Sequence, residues 1–195
     1  MKKQKTKENG EKQMSKFKAG DIVQISVFSA LMVLCSWIYI PAVVPFTMQT
    51  FGVLLAAVLL GAKKSVFAVL VYIILGVLGL PVFSGGGSGI GVLLGQNGGY
   101  IMGFLICAFV CGKISEKIKR SPAAMMMSML AGLLCVYVFG GLWLACVYLS
   151  KSGDMGVWTV VSAYTASFVI PDLIKITLAT FTARRFLKST DLFRR

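Results

Sequence analysis

The sequence predicts an all-α membrane protein: a bundle of six transmembrane helices with a glycine-rich outer loop between helices 3 and 4. Three observations carry this. First, hydrophobic residues make up 57% of the 195 residues and charged ones only 14%, where soluble domains run about 45–50% apolar and about 25% charged. Second, the apolar residues fall in long stretches punctuated by proline, glycine or charge. Third, the excess positive charge (+13) lies in blocks between those stretches, as the positive-inside rule distributes Lys and Arg in cytoplasmic loops. Blocks of that kind suit the anionic headgroups of membrane lipids, and no nucleic-acid partner is expected. Both termini are expected in the cytoplasm.

Residues 1–20 form a lysine-rich tail. It resembles the start of a signal peptide, but the following apolar run continues past Pro41 with no cleavage motif, so a retained cytoplasmic tail is expected. Residues 21–188 form the membrane domain and 189–195 a second cytoplasmic tail. The first span is expected from about Ile22 to Ile40, with Pro41 and Pro45 breaking the chain at an outer loop and Trp37 and Tyr39 as interfacial aromatics. The second runs from about Thr47 to Leu60 and ends at the inner turn Gly61-Ala62-Lys63-Lys64. The third runs from Val66 to Leu80. The fourth, Gly98 to Cys111, meets a basic inner loop over Lys113–Arg120, and the fifth runs from Ala123 to Leu149. Lys151–Asp154 is an outer loop. Residues 157–169 read as an outer or partly re-entrant helix, and the last span runs from Pro171 to Phe186. Pro171 suits the first turn of that helix, where the helix dipole favours the carboxylate of Asp172. Several spans are shorter than the roughly 20 residues of a straight crossing and need tilt or flanking segments.

Composition excludes much chemistry. There is no histidine, and the five cysteines (Cys35, Cys107, Cys111, Cys135 and Cys146) sit in apolar stretches without a CxxC pair. Neither a metal site nor a His-based catalytic centre is expected. No residue is assigned a catalytic role, and no cofactor is expected.

The strongest polar signal is Asp172 and Lys175, the only ionisable residues inside Val169–Phe181. Three apart, they share a helix face. Charges in hydrocarbon are costly unless paired, wetted or used by a ligand, so the pair is the first candidate binding site. The plainer alternative is an ion pair that only orients a helix. Gly79 to Tyr100 is long and glycine-rich. Non-helical backbone at a membrane persists where it is buried in protein or lines a wet cavity. Gly86, Gly87, Ser88 and Gly89 are therefore candidate ligand contacts, against the alternative of a flexible connector. The loop lacks the Lys-Ser/Thr ending of a phosphate-binding loop. Gln49 opens the second span with an amide that needs a partner, either a ligand or a local cap. Ser26 and Ala30 form a small-xxx-small pair that lets another helix approach, within this chain or from a partner. Trp143, Tyr148, Trp158 and Tyr164 cluster near the expected outer side, most as interfacial anchors, with stacking on a ligand the alternative for one of them.

These segments carry a resemblance. Pro45–Ala56 (PFTMQTFGVLLA), Gly61-Ala-Lys-Lys64, Gly76–Phe83 (GVLGLPVF) with its glycine run, Gly98-Gly-Tyr100 and Pro171–Ala179 (PDLIKITLA) occur in order across about residues 22–188. Together they resemble the BioY family, the biotin-specific S components of energy-coupling factor (ECF) transporters. The resemblance implies a six-helix subunit that captures biotin from outside. It also implies docking to a transmembrane coupling protein with two cytoplasmic ATPases, ATP being bound only by those partners. The Ser26/Ala30 face then corresponds to the surface pressed against the coupling subunit. Biotin suits the residues. Asp172 could accept from the ureido N–H groups, Lys175 could pair with the carboxylate or hold Asp172, and Phe83 and Tyr100 are candidate walls. Two departures stand out. Pro171 abuts Asp172 where the family often has an intervening glycine. Gly87 or Ser88 stands where the family's loop can carry an asparagine, leaving Ser88 or Asn97 for that role. The rivals are an S component for a different vitamin, a small membrane enzyme, which would need a nucleophile–base pair, and an assembly protein that binds no small molecule.

Overall fold

The computed structural model describes residues 18–40, 46–118, 121–152 and 156–192. The expected break at Pro41 and Pro45 and much of the N-terminal tail lie outside them. Helix α1 spans Ala19–Trp37, and a two-residue ribbon pairs β1 (Tyr39–Ile40) antiparallel with β2 (Phe46–Thr47). Helix α2 spans Gln49–Val77, a 3-10 turn covers Ser84–Gly86, and the short α3 spans Ile90–Leu94. Helices α4 (Gly98–Lys117), α5 (Pro122–Ser152) and α6 (Val157–Leu192) complete the chain. Among the described residues, five helices are long and apolar enough to cross a membrane. The fold is all-helical as expected, apart from the small ribbon, which pairs Tyr39 with Thr47 and brings the end of α1 beside the start of α2.

Helix α2 contains both the second and the third expected spans. Its backbone leaves helical geometry at Gly61 (φ 77°, ψ 176°). Gln49 Nε2 donates to Tyr72 Oη although 23 residues separate them, a distance of about 34 Å along a straight helix. The chain therefore turns back at Gly61. A side chain is disfavoured there by the positive φ and by space, since a Cβ would meet Glu116 Oε1 at 2.5 Å. The Glu116 carboxylate accepts from the Ala62 amide at 2.8 Å and so caps the returning arm. The same end is tied by Lys64, which donates to Asp21 at 3.0 Å and to Gln24 at 2.7 Å.

Helix α6 corrects the reading of the last span. Residues 157–169 are its first third, so Pro171 lies inside the helix and Asp172 is far from its N-terminus. The helix runs on to Leu192. Proline removes one intrahelical hydrogen bond, a loss tolerable where neighbouring helices brace the segment. The buried residues Asp172, Lys175, Ile176, Ala179, Thr180 and Ala183 form one stripe, facing the bundle at the spacing of a single helix face.

The core lies between α2, α4 and α5, with α1 against α2 and α6 against α5 and α2. Small residues set the close approaches, as in membrane bundles generally. A Cβ on Gly112 would come within 2.5 Å of the Ala62 backbone, and one on Gly132 within 2.9 Å of Cys107 Sγ. The outward faces carry Val23, Leu34, Phe109, Leu134, Leu142, Ile174 and Phe181, side chains suited to hydrocarbon.

Candidate ligand-binding site

At the end of the bundle opposite Gly61, the chain encloses a cavity. It has about 690 Å³ of empty space, the open solvent at its mouth included. Phe46 and Thr47 of β2 and Gln49 and Thr50 of α2 form one side. Ser84 and Val92 of the glycine-rich segment, with Asn97, Tyr100, Ile101 and Phe104 at the start of α4, form a second. Val136 and Tyr137 of α5 and Phe168, Asp172 and Lys175 of α6 close it.

Asp172 and Lys175 are 2% and 3% exposed. Their side chains form an ion pair, Lys175 Nζ to Asp172 Oδ1 at 2.8 Å. Thr50 locks it: its hydroxyl donates to Asp172 Oδ1 at 2.8 Å and accepts from Lys175 Nζ at 3.0 Å. Tyr137 donates to Asp172 Oδ2 at 2.7 Å. The ammonium also lies 5.6 Å from the centroid of the Phe46 ring, within cation–π range. A carboxylate has about four acceptor positions and an ammonium three donors. With these bonds made, Oδ2 keeps an acceptor position and Nζ keeps a donor. The couple is neutral overall and offers one donor beside one acceptor.

The amide of Gln49 is held within the protein. Its oxygen accepts from Thr47 Oγ1 at 2.9 Å and its nitrogen donates to Tyr72 Oη. Tyr72 in turn donates to the Val82 carbonyl at 2.9 Å. This chain of bonds ties the cavity wall to the root of the glycine-rich segment. Trp143 fixes the segment's far end, donating from Nε1 to the Gly95 carbonyl at 3.0 Å and packing where Gly99 has no Cβ. It braces the segment. The side chain of Trp158 lies outside the described residues.

Of the residues singled out from sequence, Gln49, Tyr100, Asp172 and Lys175 meet at the cavity, as does Asn97. Phe83 does not line it. The ring is fully buried, edge-on to Tyr72 at 5.8 Å between centroids, in the space left by Gly76, where a Cβ would meet it at 2.1 Å. Gly86, Gly87, Ser88 and Gly89 are not part of the cavity lining either; the segment reaches the cavity through Ser84 and Val92. Ser26 and Ala30 face outward into a separate shallow groove between α1 and the returning arm of α2, shared with Trp37, Leu75 and Pro81. Ser29, beside them, points inward and donates to the Ile25 and Ala68 carbonyls. The sequence reading missed Thr50, Tyr137, Phe46 and Phe168. Thr50 and Tyr137 carried only a weak sign, because a hydroxyl costs little in a membrane helix and Thr50 stands close to Thr47 and Gln49.

Comparison with known proteins bears on what such a cavity holds. The sequence pattern described as "BioY family" matches residues 6–191. A protein of Thermotoga maritima named "Biotin transporter BioY" is 39% identical over 168 residues, which is 86% of this chain and 95% of that one. A protein of the same name from Rhodobacter capsulatus is 34% identical over 84% of this chain and 91% of its own length. The crystal structure of the S-component for biotin from an ECF-type ABC transporter superposes with a TM-score of 0.75 at 26% identity, covering 87% of this chain and 91% of that one.

Proposed function

The chain belongs to the BioY family, and from that premise we propose that it is the biotin-binding S component of an ECF-type uptake transporter. It is a multi-pass membrane protein and a transporter subunit rather than an enzyme.

The observation that carries the reading is the wired Asp172–Lys175 couple at the cavity wall, with one donor and one acceptor left over. The ureido ring of biotin presents a complementary edge: an N–H donor next to a carbonyl acceptor. The ring N–H donates to Asp172 Oδ2 and the carbonyl accepts from Lys175 Nζ. Both bonds involve a charged partner and are the stronger for it. Because the couple is net neutral, a neutral ring neither leaves a buried charge nor needs a counter-ion. Phe46, Phe104, Val136 and Phe168 supply apolar surface for the bicycle.

In this reading the arms of α2 on either side of Gly61 are separate crossings, giving six spans with both termini in the cytoplasm. The glycine-rich segment then lies on the outer side and covers the ligand. Ser26 and Ala30 mark the face that docks to the transmembrane coupling protein, whose two ATPases supply the energy; the groove beside them supports this, because small side chains admit a partner helix.

Equilibrium competition on the purified protein tests the proposal. Unlabelled biotin should displace labelled biotin stoichiometrically, while other vitamins at the same concentrations should not. A different vitamin displacing it more effectively, or no binding by a folded preparation, ends the reading.

A further inference from the structure

Tyr100 carries a hydroxyl that nothing in the protein satisfies. Its Oη is the only buried side-chain oxygen or nitrogen without a hydrogen-bond partner among the described residues, in a residue 9% exposed. Thr165 of α6 stands beside it without completing a bond. The ring cannot swing aside. Phe168 lies against it with centroids 5.7 Å apart. On the α5 side, Gly140 leaves a space in which a Cβ would come within 2.4 Å of the ring. The side chain lines the cavity. Leaving a buried donor unmade costs more than a hydrogen bond usually gains, so this oxygen is held ready for whatever enters.

Its position follows from two independent rulers. On α6, Phe168 lies one turn before Asp172, and Thr165 lies two turns before it, about 10 Å along the axis. On α5, Tyr137 holds Asp172, and Gly140, one turn further on, cradles the Tyr100 ring. Both put Tyr100 one to two turns from the ion pair, at the other end of the same cavity. Tyr100 also sits in the first turn of α4, a 20-residue helix, whose leading amides have no intrahelical acceptor and whose dipole favours negative charge there. Asn97 precedes that turn, makes no capping bond with its side chain and lines the cavity.

We infer that Tyr100 Oη donates to the carboxylate at the end of the ligand's acyl tail, at the N-terminus of α4. The inference rests on the reading of the ligand as biotin and fixes its direction: ring at Asp172–Lys175, tail at Tyr100. The tail is thus recognised by a neutral donor and a helix end, with no Lys or Arg lining that part of the cavity.

The test compares biotin with an analogue whose carboxylate is replaced by a methyl group, on purified full-length wild type, Tyr100→Phe and Asp172→Asn. Wild type should prefer biotin by at least about tenfold, the scale of one hydrogen bond to a charged group. Tyr100→Phe should lose most of that preference while binding the methyl analogue as wild type does. Asp172→Asn should weaken both ligands alike, because it acts on the ring. Tyr100→Phe binding biotin like wild type, or weakening both ligands equally, overturns the inference. If wild type binds neither ligand, the biotin reading fails and this one with it. Folding is checked by thermal unfolding of the ligand-free protein, in which Tyr100→Phe should be no less stable than wild type, since it removes an unsatisfied donor.

Discussion

A carboxylate and an ammonium in one apolar stretch are conspicuous because hydrocarbon penalises them, and that made Asp172 and Lys175 legible from the sequence. Their partners were not legible to the same degree. A hydroxyl such as that of Thr50 or Tyr137 sits in a membrane helix at small cost, since it can bond a nearby carbonyl, so its presence alone says little. Phe83 was misjudged for a related reason. An aromatic in a loop reads equally as cavity wall or core, and only the missing Cβ of Gly76 decides for the core. Removing one member of a buried pair strands the other charge at about 3–5 kcal/mol, whereas removing both leaves none. Lys175→Met should therefore lower the unfolding temperature more than the double variant Asp172→Asn/Lys175→Met. Thr50→Val removes the bridge to both members and should weaken biotin binding about fivefold, near 1 kcal/mol for one hydrogen bond, as read by titration.

Elements follow from the sequence where hydrophobicity and charge change together, and less well where backbone geometry decides. Gly98 opens α4 as expected, and α5 differs from its expected start by one residue. The reversal at Gly61 was legible as a Gly-Ala-Lys-Lys turn. The continuity of α6 through Pro171 was not, because the braces that make an internal proline tolerable come from α2 and α5, which local sequence cannot reveal. The Gly61 turn yields a further expectation. Gly61→Ala forces a side chain into positive φ and against Glu116 Oε1. It should destabilise the protein by about 1–3 kcal/mol, seen as a lower midpoint of thermal unfolding in detergent. Glu116→Ala, which removes the cap on Ala62 and an exposed pair with Lys113, should cost about 1 kcal/mol. If Gly61→Ala were neutral, the turn would not have the geometry described.

At the scale of the whole molecule, the bundle divides its work between two ends and one side. The end at Gly61 is clamped by Lys64–Asp21 and Glu116–Ala62. The other end holds the cavity, with the glycine-rich segment pinned by Tyr72 and Trp143. The side with Ser26 and Ala30 is free of both. Ala30→Trp should accordingly leave biotin binding by the isolated subunit unchanged and abolish ATP-driven uptake in cells that also carry the coupling module. Loss of binding in that variant would mean the groove belongs to the ligand site. The central claim remains that the Asp172–Lys175 couple reads the ureido edge of biotin. The most direct measurement is the dissociation constant of Asp172→Asn for biotin beside wild type, in preparations with matched unfolding profiles. The account predicts saturable one-to-one binding by wild type and at least about tenfold weaker binding by the variant, from the loss of one bond to a charged group. Equal affinities in two folded proteins would contradict it.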